Sequence, residues 1–282
     1  MTTVSGEAGH WPEMARVWPQ IGPPLRPVSE DIAFCREAVA DWVRCHGAPR
    51  VLLLGVTPEL YRLPWPQGTD VLAVDRAQAM IDRVWPGPAA AVRCADWLSI
   101  SLPRASRDIA LCDGGLHLIS YPQGQRRLVR ILRDLLSAEG LCILRLYVPP
   151  AQRESPEAVL RDLLGGKVSS LNILKLRLGM SLMENASQGV RLGTVWQTLH
   201  QAAPDLAALA ARLDWTPEHT LAINTYRESE ARYSFASVRE VCDLFCRAPG
   251  GFRLRAVKTP SYELGEQCPT VVLQRSDREP GT

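Results

Sequence analysis

Between residues 50 and 146 short apolar runs alternate with amphipathic stretches. The runs at 51–54, 71–74, 90–93, 109–112 and 141–146 are brief, continuous and mostly aliphatic, the pattern of strands buried on both faces. Between them, Gln78–Val84 and 123–137 carry apolar residues at helical spacing, the second closed by Glu139-Gly140. Such alternation predicts a parallel sheet covered by helices on both sides. Upstream, Ile32, Phe34, Cys35, Ala38, Val39, Trp42 and Val43 form one stripe of an amphipathic helix, with Ser29 as N-cap and Gly47 as stop. The residues before Pro27, rich in Pro and Trp, predict an irregular arm.

The alternation stops at Pro149-Pro150. Residues 154–247 read as mainly helical, with breaks at Gly165-Gly166, Gly189, Pro204 and Pro217. After Gly250-Gly251 come two strand patterns, 252–259 and 270–275, whose connection is too short for a helical crossover, so they should pair as an antiparallel hairpin. The expected division is therefore 1–48 arm and helix, 49–150 core, 151–250 helical cap, 251–276 terminal hairpin and 277–282 frayed tail. The expected fold class is α/β: a mostly parallel, doubly wound, seven-stranded sheet with a closing antiparallel hairpin and a helical cap insertion.

Composition narrows the function classes. A chain of 282 residues, 46% hydrophobic and 22% charged, can bury a substantial core. No apolar run approaches the ~20 residues of a membrane span, and the N-terminus lacks the basic and apolar regions of a signal peptide, so a cytoplasmic location without a membrane partner is expected. A net charge of +2 is too small to imply a polyanionic partner. Arg126, Arg127, Arg130 and Arg133 alternate with Leu128, Ile131, Leu132 and Leu135, which makes them the solvated side of a helix rather than a nucleic-acid patch. Cys35, Cys45, Cys94, Cys112 and Cys142 sit in apolar segments and read as reduced, buried thiols. Cys242 and Cys246 share a helix face without a second ligand pair, so no metal site is expected.

The candidate chemistry centres on Gly55 and Asp75. A carboxylate at the tip of a second strand, about 20 residues past a glycine ending the first, is where an α/β nucleotide-binding fold holds a ribose. An adenosine-bearing ligand is expected there. Taken with the helical interruption and the antiparallel hairpin, residues 51–149 and 252–275 resemble the class I S-adenosylmethionine-dependent methyltransferases.

That resemblance implies S-adenosyl-L-methionine as cofactor and S-adenosyl-L-homocysteine as product. Gly55 would begin the turn against the methionine part, Asp75 with its neighbour Arg76 would hold the ribose, and Asp96 would face the adenine amino group beside an apolar wall from Trp97. Asp113 and Gly114 would border the sulfonium. The turn departs from the family pattern: Thr57 and Pro58 stand where further glycines are usual, and Glu59 is the candidate to supply a negative charge near the cofactor's ammonium. The arm would fold over the cofactor, with Arg16, Trp18 and Arg26 as contacts.

The cap would select the acceptor. Asn224, Thr225, Tyr226, Arg227, Arg232 and Tyr233 concentrate hydrogen-bonding groups, and an arginine there would suit an amino-acid-derived or otherwise acidic small molecule. His117, followed by Tyr121, lies just past Asp113 and has a suitable ordinary pKa for a general base. Asp113, His117 and Tyr226 are the catalytic candidates. The expected activity is methyl transfer to a nucleophilic atom of a small molecule. Two alternatives remain: a non-catalytic binder of an adenosine ligand, favoured by the altered turn, and a nicotinamide-dependent oxidoreductase, disfavoured because Gly55–Leu60 lacks the G-x-G-x-x-G that admits a pyrophosphate. The oligomeric state and the methylated atom are not legible in the sequence.

Overall fold

A computed structural model describes residues 11–216 and 222–276. The expected break at Pro217 and the expected tail at 277–282 lie outside the described residues. The apolar runs form one seven-stranded sheet from β1 (Arg50–Leu54), β2 (Asp70–Asp75), β3 (Val92–Cys94), β4 (Arg107–Asp113), β5 (Leu136–Arg145), β8 (Phe252–Lys258) and β9 (Thr270–Arg275). Their order is β3-β2-β1-β4-β5-β9-β8; the first five are parallel, while β9 runs antiparallel to both β5 and β8. A two-residue ladder, β6 (Val190–Arg191) with β7 (Arg232–Tyr233), lies in the cap.

The sheet is buried on both faces, as the continuous apolar runs require. On one face Val51, Leu53, Ile109 and Leu111 pack with α2 (Ser29–His46) and α4 (Gln78–Val84). On the other, Leu52, Leu54, Ala110 and Leu144 meet Leu128 and Leu132 of α5 (Gln123–Leu135) and Phe245 of the helix Val238–Cys246. Arg126, Arg127, Arg130 and Arg133 are all exposed, on the solvated side of α5. At the strands' N-terminal ends Arg50 donates to both Asp108 oxygens, at 2.9 and 2.8 Å, and holds that carboxyl down to a pKa of about 2.

Several boundaries differ from the sequence reading. The third strand is Val92–Cys94, not 90–93, because a 3₁₀ turn occupies Ala89–Ala91; as an edge strand it exposes Arg93 and Cys94. Helix α5 ends at Leu135, since Leu136 already pairs with Arg107; the strand then bulges through Glu139 (φ 60°) before resuming at Leu141. A Cβ on Gly140 would lie 2.9 Å from the Asp108 carbonyl oxygen, so the bulge needs a glycine there. The cap at the start of α2 is supplied by Asp31, whose carboxylate accepts the Val28 N–H at 2.9 Å, and Ser29 lies inside the helix. Cys45 and Cys94 are exposed, unlike buried Cys35, Cys112 and Cys142; all eight cysteines are free.

The arm is not irregular throughout: Trp11–Val17 forms a short helix, α1, followed by a 3₁₀ turn at Trp18–Gln20, and α1 packs against α4. The rest of the interruption includes α6 (Pro156–Leu164), α7 (Leu171–Leu182), α8 (Leu192–Ala202) and α9 (Leu206–Arg212), which share an apolar core with α1. The arm and the cap together roof the C-terminal ends of the parallel strands. No helix among the described residues is long and apolar enough to cross a membrane.

Candidate active site

Under that roof lies a cavity of about 520 Å³, bounded below by the tips of β1, β2 and β4 and above by the arm and the cap. Its position is where open α/β sheets bind ligands, outside the carboxyl ends of strands on either side of the point where strand order reverses.

The floor is built by the expected turn. Gly55 has φ 102°, a left-handed value, and its N–H donates to the Val74 carbonyl at 2.8 Å, so the chain turns sharply out of β1. The Trp97 indole donates to the same carbonyl at 2.6 Å and lies over Gly55 and Gly115. A Cβ on Gly115 would come within 2.7 Å of that ring, so the close approach demands glycine. Asp75 lines the cavity, accepts the Ala77 N–H at 2.8 Å, and is pushed up to a pKa of about 6 by burial. Arg76, Asp96, Trp97 and Thr57 also line it. Asp96 is exposed and accepts the Leu98 N–H at 2.8 Å.

Pro58 and Glu59 begin the short helix α3 (Pro58–Tyr61) and are not part of the wall. Glu59 is instead ion-paired with Arg26, whose guanidinium also sits 5.4 Å over the Trp18 ring. That pairing uses Oε1, while Oε2 is buried without a partner. Arg16, expected at the cofactor, pairs with Glu13 on the exposed side of α1. The arm contributes apolar wall instead: Trp11, Met14, Trp18, Ile21 and Leu25.

At the tip of β4, Asp113 lines the cavity but is not free. Arg145 on β5 holds it at 2.5 Å, with both side chains buried. The same guanidinium donates to the Pro24 carbonyl at 2.8 Å and to the Tyr147 hydroxyl at 3.2 Å, and that hydroxyl lies 3.0 Å from the Leu25 carbonyl. This buried network ties the arm to the sheet. It also fixes Gly114 (φ 59°), where a Cβ would come within 2.7 Å of the Tyr147 ring.

His117 sits in the 3₁₀ turn Leu116–Leu118, held from below by buried Gln125, which donates to the Leu116 and Ile119 carbonyls, and from the cap by the Ser234 N–H on the His117 carbonyl at 2.8 Å. Its ring stacks on Phe235 at 5.5 Å and meets the edges of Tyr147 and Tyr233 at 5.1 and 4.5 Å. Burial pushes its pKa down to about 3, and Nδ1 has no partner. The sequence reading of a base with an ordinary pKa is therefore corrected: burial holds this imidazole in its neutral form.

Of the cap residues expected at the site, Tyr226, Arg232 and Tyr233 line the cavity, the two tyrosine rings 6.2 Å apart. Arg227 does not: it is exposed and lies 5.3 Å over the Trp196 ring, and Asn224 accepts from that same indole at 3.3 Å. Tyr121 packs beside α5 outside the cavity. Sequence reasoning missed Tyr147, Met14, Ile21 and Leu25. The dipeptide Tyr147-Val148 directly after a buried strand was the available signal for the first; the arm residues offered none beyond their apolarity. Among the described residues no three His, Cys, Asp or Glu side chains form a metal-binding group.

No protein-family model and no curated protein matches the chain. Among solved structures it is similar to the CcbJ methyltransferase of Streptomyces caelestis, with a TM-score of 0.52 and 14% identity over 96% of this chain and 99% of that one. It is similar to the N-methyltransferase NodS of Bradyrhizobium japonicum in complex with S-adenosyl-L-homocysteine, at 0.50 and 8% over 95% and 98%. A Rhodobacter sphaeroides structure assigned provisionally as a Zn-dependent alcohol dehydrogenase matches at 0.55 and 15% over 98% and 100%. The chain thus has the α/β fold of the class I S-adenosylmethionine-dependent methyltransferases. At these identities the likeness concerns the fold, and function must be argued from the site.

Proposed function

We propose that this protein is an S-adenosylmethionine-dependent methyltransferase acting on a small molecule. The observation that carries the reading is Asp75: a carboxylate at the tip of β2, lining the cavity and destabilised as an anion by its burial. Two ribose hydroxyls donating to it would relieve that cost. Gly55, which lines the cavity without a Cβ, lets a ligand approach the backbone at the turn. These residues fit the cofactor, which when bound supplies a methyl group already activated by a sulfonium.

The protein's own work is then alignment and water exclusion. Tyr226 is held protonated by burial, His117 is neutral, and Asp113 is occupied by Arg145. None of the three is a strong base at neutral pH. Tyr226 and Tyr233 can donate and His117 Nδ1 can accept, which orients a nucleophile that arrives with its own lone pair. The arm and the cap wall the site opposite the strand tips.

The test is thermal stabilisation: S-adenosyl-L-homocysteine should raise the melting temperature and NAD should not. Stabilisation by NAD alone would replace this reading with the oxidoreductase, and methylation of no acceptor by a cofactor-binding protein would leave the non-catalytic binder.

A further inference from the structure

The cap contains a charge that the surrounding protein does not balance. Lys175, on α7, is 4% exposed, and its Nζ has no hydrogen-bond partner. Burial lowers its pKa to about 8, and no neighbouring carboxylate opposes that shift. Its ammonium lies 5.1 Å from the centroid of the Tyr226 ring, and Tyr226 lines the cavity. A cation–π contact offsets part of the loss of hydration, but an unpaired buried ammonium is still unfavourable. On the cavity wall Asp113 is paired with Arg145 and Glu230 with Arg191, and Arg232 is exposed and donates to the Gln188 carbonyl at 3.2 Å. The end of the cavity walled by Tyr226 is therefore positive.

That same end is aromatic, formed by His117, Tyr147, Tyr226 and Tyr233. Flat rings with hydroxyls at their edges suit a planar ligand bearing a polar group. Resting on the methyltransferase reading, we propose that the acceptor is a small aromatic acid whose carboxylate settles on the Tyr226 side of the cavity, with Lys175 selecting it across the Tyr226 ring. Lys175 acts through Tyr226 and is a positioning residue. The ring face is itself negative, so the carboxylate would sit at the hydroxyl edge of that ring, with the two charges roughly 8 Å apart; at an effective dielectric of about 20 the attraction is worth on the order of tenfold in affinity.

The experiment is calorimetric titration of the S-adenosyl-L-homocysteine complex with indole-3-acetate and 4-hydroxybenzoate, each against its uncharged amide. At least one acid should bind about tenfold tighter than its amide. Lys175→Met should bring that ratio close to one and Lys175→Arg should retain it, both with unchanged homocysteine-product affinity; a purely structural lysine would not move the ratio. Lys175→Met removes a buried charge at nearly constant volume, so it should fold and melt no lower than the parent. Equal binding of acid and amide, binding of neither acid, or an unchanged ratio in Lys175→Met would overturn the proposal. Product affinity is measured first. Its absence would count against the methyltransferase reading, and the acid–amide comparison on the ligand-free protein would still decide the role of Lys175.

Discussion

Arg145 holds the Asp113 carboxylate at 2.5 Å in a fully buried pair, and the same guanidinium reaches the arm at the Pro24 carbonyl. One side chain thus sets both the floor of the cavity and the anchorage of its roof. Breaking such a pair from one side strands a charge in the interior, at a cost of about 3–5 kcal/mol, whereas replacing both partners by apolar residues can be nearly neutral. Arg145→Met should therefore destabilise more than Arg145→Met combined with Asp113→Leu, as read by denaturant unfolding of the two variants. A double variant as unstable as the single one would mean that the arm contacts, rather than the pair, dominate.

Asp75 should trade stability for binding. Burial raises its pKa from 3.8 to about 6. Between those values the native state keeps a proton that the unfolded chain has lost, so stability falls as pH rises through this window, and the full cost is present above pH about 6. That cost is at most about 3 kcal/mol. Ligand-free Asp75→Asn should be more stable at pH 7 by about 1–3 kcal/mol and should show less pH dependence between pH 4 and 6. It should also bind S-adenosyl-L-homocysteine more weakly by about 1.5–3 kcal/mol, the worth of hydrogen bonds to a charged group. Thermal unfolding across pH, with calorimetry at pH 7, measures both; unchanged affinity would remove Asp75 from the cofactor site.

The sequence made the sheet legible because strands buried on both faces leave an unbroken apolar record, as 51–54 and 109–112 do. It also placed Gly55, Asp75, Trp97 and Gly114 on the cavity wall, since strand tips follow from strand positions. What it could not show depended on tertiary pairing. Glu59 became the partner of Arg26, and Asp113 that of Arg145, because residues distant in the chain meet only once the arm folds over the sheet. Arg227 and Tyr226 are adjacent in sequence yet face opposite ways, one onto Trp196 at the surface and the other into the cavity. Lys175 lies among Ile173, Leu174 and Leu176 on a helix that also carries Arg177 and is buried along much of its length, so which of the two cations is buried shows only in the folded chain.

His117 should give no titration in the activity profile near its ordinary pKa. Its folded value of about 3 keeps the imidazole neutral from pH 5 to 9. Once an acceptor is in hand, single-turnover rates should therefore show no limb near pH 6.5 attributable to this residue. His117→Ala should lower the rate about 10-fold or more by removing the hydrogen-bond acceptor at Nδ1. A limb near pH 6.5 that vanishes in His117→Ala would restore it as a general base and show that ligand binding reopens the site to water.

Tyr226 and Arg227 provide an internal comparison within the cap. Tyr226 lines the cavity with its phenol near that of Tyr233, whereas the Arg227 guanidinium lies outside over Trp196. Removing the Tyr226 hydroxyl deletes a donor from the acceptor end without changing the ring's packing, so Tyr226→Phe should lower kcat/KM for the acceptor by about 5- to 30-fold, the loss of one hydrogen bond. Cofactor affinity should hold, because Gly55 and Asp75 belong to other elements. Arg227→Ala should change kcat/KM by less than about twofold, since an exposed cation–π contact contributes little. The measurement is steady-state kinetics of both variants beside calorimetric titration with S-adenosyl-L-homocysteine. A large loss in Arg227→Ala with Tyr226→Phe fully active would place acceptor recognition on the outer face of the cap rather than inside the cavity.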